Sequence, residues 1–144
     1  MSTGLVHLHN ILRWLILVTL LISIYKLMKK QDALKMSKIL LIASHSTLLI
    51  GLYQYFLGAV GFKMIQAAGM GAAMKDAATR FWAVEHIFSM VIAIALITVG
   101  HIKYKKTGNP SATKSLYLLA LLLILIAMPW PFKAAVGRPW FPGL

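Results

Sequence analysis

The chain has 144 residues and not one cysteine. That absence excludes disulfides, thiolate metal sites, iron–sulfur clusters and the Cys-x-x-Cys-His attachment of a covalent haem. Acid is almost as scarce: three Asp and Glu stand against 15 Lys and Arg, and charged residues make up only 12% of the chain. A soluble domain carries about 25% charge, so a soluble enzyme, a disordered tail and a nucleic-acid-binding domain are all poor fits. No Gly-x-Gly-x-x-Gly marks a flavin or nicotinamide site. There is no internal repeat and no low-complexity linker, and the length allows a single domain.

What the chain has is apolar surface, with 60% hydrophobic residues and a mean hydropathy of +0.78. A bilayer-crossing helix needs about 20 predominantly apolar residues. Four segments meet or approach this: 5–26, 39–60, 81–102 and the shorter 115–130. The first is no cleavable signal peptide, because its apolar run is too long and no basic stretch precedes it. The expected fold class is therefore an all-α integral membrane four-helix bundle.

The basic residues orient it. Lys26, Lys29, Lys30, Lys35 and Lys38 fall in or beside the first connection, and Lys103, Lys105, Lys106 and Lys114 in the third, which makes nine of the 15 cations. The positive-inside rule puts both connections in the cytoplasm and both termini outside. Arg13, Lys63, Lys75, Arg80, Lys133 and Arg138 remain outside. Pro110, in the Thr107–Gly108–Asn109–Pro110 turn, stops the third helix. The second connection, 61–80, is rich in Ala, Gly and Met and is expected along the outer interface. The tail, with Pro129, Trp130, Pro131 and Phe132 and then Arg138, Pro139, Trp140, Phe141 and Pro142, cannot be regular helix. Its aromatics suit an interfacial belt.

Chemistry must come from the few polar groups inside the spans. All five histidines, His7, His9, His45, His86 and His101, lie in or at the edge of spans. His86 and His101 are 15 residues apart, hence about 22 Å apart in depth and about 60° in azimuth. His9 lies near the outer end of its span, and His45 about 10 Å up from the inner surface. Depth thus pairs His9 with His86 and His45 with His101. Two pairs at two depths are what two bis-imidazole haems require, and without cysteine any haem is b-type. His7 fits the outer level by length, but His9 has Arg13 four residues on, on its own face, where a guanidinium could grip a haem propionate. Glu85 is expected to pair with Arg80 or Arg13. The methionines and Gly51, Gly58 and Gly100 read as packing positions.

Three stretches carry a resemblance: His9–Asn10–Ile11–Leu12–Arg13–Trp14, then Arg80–Phe81–Trp82–Ala83–Val84–Glu85–His86 running on to Gly100–His101, and Pro129–Trp130–Pro131–Phe132. The whole chain resembles a family of small bacterial four-span proteins labelled cytochrome b. In design it is also similar to di-haem b-type cytochromes such as superoxide oxidase and the cytochrome subunits of formate dehydrogenase and nickel–iron hydrogenase. In those, one helix supplies two histidines about 14 residues apart and two other helices supply one each. Here the spacing is 15, and the doubly ligating helix is the third rather than the fourth.

The resemblance implies electron transfer through haem b, with quinone as the membrane carrier. Ser44, Ser46, Tyr53, Gln54 and Lys103 are weak quinone-site candidates. Superoxide oxidation at the outer side, drawn by the outer cations, is one version. A membrane subunit relaying electrons for a redox partner protein is another. The competing class is a non-redox membrane protein, either a haem or metal carrier or a structural subunit of a larger complex. A one-haem protein using only His9 and His86, or only another pair, is a further expectation.

Overall fold

In a computed structural model of the chain, residues 3–141 are described; Pro142 of the tail lies outside them. They form α1 (Thr3–Met28), α2 (Leu34–Leu57), the short α3 (Phe62–Ala68), α4 (Met70–Lys75) and α5 (Ala77–Arg80), one π-helical turn (Phe81–Glu85), α6 (His86–Thr107) and α7 (Pro110–Ala127). No strand occurs among the described residues. Four helical stretches, Thr3–Met28, Leu34–Ala68, Ala77–Thr107 and Pro110–Ala127, are long and apolar enough to cross a membrane. The chain is thus an all-α, multi-pass membrane bundle.

α1 packs on α2, α2 on α6, α6 on α7 and α7 back on α1, an up-down-up-down ring in which chain neighbours are neighbours in space. The lysine-rich connections lie at one end, called lower below. The start of α1, the end of α7 and the segment between α2 and α6 lie at the other, upper end.

Unlike a soluble domain, the bundle carries small polar side chains in its interior and large apolar ones on its surface. Thr19, Ser23, Ser37, Ser44, Thr47, Thr113 and His101 are buried, while Leu21, Leu49, Phe88 and Ile126 are exposed, Leu49 to 70%. In lipid an outward Leu costs nothing, whereas small inward residues let helices approach closely. Several of these hydroxyls satisfy themselves on the preceding turn: Thr19 donates to the Leu15 carbonyl (2.7 Å), Ser23 to Thr19 (2.7 Å) and Thr47 to Ala43 (2.8 Å).

The sequence predicts the turn after α6, and the structure shows why it works. Gly108 adopts φ +64° and returns its N–H to the Tyr104 carbonyl. The Asn109 side chain then accepts the Ser111 N–H, with Pro110 opening α7. α7 therefore starts at Pro110, earlier than the hydropathy boundary at 115, and α2 starts at Leu34 rather than 39. The segment 61–80 folds as three short helices. Asp76 caps the last of them by accepting the Thr79 N–H (2.8 Å), which holds its carboxyl below the usual carboxylate range. Arg80 pairs with Glu85 at 2.6 Å.

In the lower half the bundle axis is closely packed, and an open groove lies only on its outer surface, lined by Leu41, His45, Leu49, Thr98 and Ile102. Leu20, Leu40, Ile97 and Tyr117 are fully buried there. Ser37 Oγ lies 2.8 Å from His101 Nδ1 and also bonds the Tyr117 hydroxyl, so one serine joins α2, α6 and α7. Gly100 permits this. A Cβ there would sit 2.6 Å from Tyr117 Cε1, and the ring cannot retreat while its hydroxyl is held by Ser37. Gly100→Ala is expected to cost about 1–3 kcal/mol by overpacking. Ser37→Ala is expected to cost a similar ~1–3 kcal/mol by stranding two buried polar groups. Thermal unfolding in detergent checks both, and an unchanged midpoint for either would remove this account of the lower half.

Candidate functional site

The upper half is hollow. A cavity of about 380 Å³ opens between α1, α2 and α6, bordered by His9, Asn10, Arg13 and Ile16 from α1, by Ser44, Thr47, Gly51 and Gln54 from α2, and by Trp82, His86, Met90 and Ile97 from the third span. Its size lies in the range of small-ligand sites. Its walls are mostly aliphatic and aromatic, with few polar groups.

Those polar groups share a property. Among the described residues, five side-chain atoms are buried without a hydrogen-bond partner: His9 Nδ1, Asn10 Oδ1, Arg13 Nε, Ser44 Oγ and Gln54 Nε2. All five residues border this one cavity. Buried polar atoms are satisfied in the great majority of cases, and leaving one unmet costs about 1–3 kcal/mol. Their convergence on a single space points to an occupant with polar atoms of its own.

Helix azimuth sets which side chains reach the cavity. On α1, His9 and Arg13 share the inward stripe that continues through Ile16, Leu20 and Leu27. His7 lies about 160° round the helix from His9; it is exposed and only touches the rim. The His9 ring packs against Gly51, where a Cβ would come within 3.2 Å of His9 Cε1. His86 follows the π-helical turn, whose extra residue rotates what comes after by about 100° relative to a continuous α-helix. Tyr55 anchors that turn by donating to the Ala83 carbonyl (2.8 Å). His86 Nδ1 donates to the Ala127 carbonyl at 2.8 Å, which leaves Nε2 as the ring's free lone pair.

His45 and His101 are not brought together. The buried stripe of α2 runs through Ser37, Leu40, Ala43, Ser44 and Thr47, and His45 lies about 140° from its centre. Its ring is exposed on the outer surface of the bundle, with Nδ1 bonded to the Leu41 carbonyl (2.9 Å). His101 faces inward and is engaged by Ser37, which also bonds the buried Tyr117 hydroxyl. The structure thus leaves the expected lower pair apart, His45 bonded to its own helix and His101 to Ser37.

Arg13 is also placed differently from the expectation. Its Nη2 donates to the Pro139 (3.2 Å) and Trp140 (2.9 Å) carbonyls, leaving only Nε directed at the cavity without a partner. These bonds hold the tail, which the sequence shows only as non-helical and aromatic. It folds back over the upper end as a strap. Trp14 donates to Trp140 (2.7 Å) and stacks on Trp140 and Phe141, while Pro129, Arg138, Pro139 and Phe141 complete the cavity wall. The aromatic spacing in the tail gave no hint of this target. Of the quinone-site candidates Ser44 and Gln54 border the cavity, and Gly51, expected as a packing position, lies between them; Ser37, Ser44 and Gly51 recur every seven residues and so share a face.

No protein family, curated protein or solved structure was found to match the chain.

Arg13 and Trp14 together donate three hydrogen bonds to the strap. Arg13→Ala should loosen it and raise iodide quenching of tryptophan fluorescence, since Trp14, Trp82, Trp130 and Trp140 all lie at this end. Quenching equal to that of the unsubstituted chain would show that Arg13 does not hold the strap.

Proposed function

We propose that the chain is a membrane b-type cytochrome that holds one haem in the upper cavity, with His9 and His86 as its axial ligands, and exchanges electrons with membrane quinone. The observation that carries this reading is the convergence of two imidazoles and every unpaired buried polar atom of the described residues on one apolar cavity. The donor set fits the group: neutral imidazole is a good axial ligand. When bound, haem supplies one-electron redox chemistry.

The remaining work falls to the chain's own residues. The Ala127 carbonyl fixes the tautomer and direction of His86, the arrangement that makes a ligating histidine dependable. Gly51 leaves room for the His9 ring. The strap and its stacked Trp14, Trp140 and Phe141 exclude water from above. The lysine-rich lower end faces the cytoplasm, so the cavity lies on the outer side of a bacterial inner membrane. Electrons from an outer donor, either superoxide drawn by the upper cations or a redox partner protein, would enter at that side.

The purified protein should show a sharp reduced α-band and about one haem per chain. His9→Ala and His86→Ala should each abolish it, and Gly51→Leu should lower haem content severalfold. His45→Ala and His101→Ala should retain it. A colourless protein that takes up no added haem would return the chain to the non-redox class. Two haems per chain, one of them lost on His45→Ala, would restore the two-depth arrangement.

A further inference from the structure

Two cationic side chains border the cavity, Arg13 and Arg138. Arg13 is largely committed to the carbonyls of the strap. Arg138 makes no side-chain hydrogen bond among the described residues, and its guanidinium lies over the Trp82 ring at 5.0 Å.

Its position is built by the chain around it. The Arg138 N–H returns to the Pro129 carbonyl (3.0 Å) and the Gly137 N–H to Lys133 (2.7 Å), closing a tight loop. A Cβ at Gly137 would lie 2.8–2.9 Å from three backbone carbonyls, so only glycine admits this turn. Trp82, which supports the guanidinium, is four residues before His86, and both border the cavity.

Among the described residues no carboxylate serves Arg138. Of the three acids, Asp32 lies in the lower connection, Asp76 caps α5 and Glu85 holds Arg80. A guanidinium with its planar fork free, stacked on an aromatic face at the mouth of an apolar cavity, matches a planar carboxylate.

We infer that Arg138 binds the carboxylate of a largely apolar ligand seated in the cavity, with Arg13 Nε–H as a secondary donor. The inference rests on the reading above in so far as the ligand is haem, whose propionates are such carboxylates; a long-chain fatty acid offers the same chemistry.

The test follows release of haem from the holoprotein to an excess of a high-affinity haem acceptor. Arg138 is exposed, so its ion pair is of the weaker, solvated kind, and Arg138→Gln should speed release about fivefold at low ionic strength. The effect should shrink towards unity in high salt, and Arg138→Lys should recover part of it. Protein reconstituted with haem dimethyl ester should release it as fast as Arg138→Gln releases haem, with no further change on substitution. Equal acceleration of haem and ester by Arg138→Gln, or none for either, overturns the inference while leaving the haem reading intact. If the wild-type protein takes up no haem, palmitate titrated against tryptophan fluorescence decides. Arg138-dependent binding sustains the carboxylate site without haem, and absent or Arg138-independent binding overturns it too.

Discussion

A polar group carried into hydrocarbon must find its partner inside the protein. The structure is organised around that constraint. In the lower half it is met by protein alone: Ser37 serves His101 and Tyr117, and the Thr113 hydroxyl takes the Gly100 carbonyl at 3.1 Å. In the upper half it is met for the strap, whose backbone carbonyls receive Arg13 and Trp14. It is not met at the cavity, where five atoms remain unpaired. The same rule thus explains the packed half, the closed lid and the hollow between them.

The fold was legible because hydropathy reports a membrane span directly: an uninterrupted apolar run needs no tertiary information to be read. The site was legible only in part, and the histidines show why. Depth along a helix follows from residue counting, and it paired His45 with His101 and His9 with His86. Azimuth decides contact. It is readable only where an inward stripe is apparent, as in the seven-residue recurrence of Ser37, Ser44 and Gly51. His45 follows Ser44 by one residue and so points elsewhere. His101 passes the azimuth test, and its engagement by Ser37 from α2 is a contact no count reveals.

Arg13 illustrates a second limit. Its position beside His9 suggested an anion partner, and its neighbour in space is a strap 126 residues further along the chain. No local pattern encodes a contact at that separation. The π-helical turn before His86 is equally invisible to periodicity, since it works by breaking the period.

The contrast between the two halves bears on whether the cavity is filled. The cavity of about 380 Å³ makes two demands on any occupant, one from its unpaired polar atoms and one from its apolar walls. A lipid chain would fill the volume and leave His9 Nδ1, Asn10 Oδ1, Arg13 Nε, Ser44 Oγ and Gln54 Nε2 unmet. Water would satisfy those atoms and leave the aliphatic walls, Ile16, Ile94, Ile97 and Ile124, wet. The flat, polar-edged ligand proposed for this cavity would meet both demands, with His9 and His86 on two different helices to hold it.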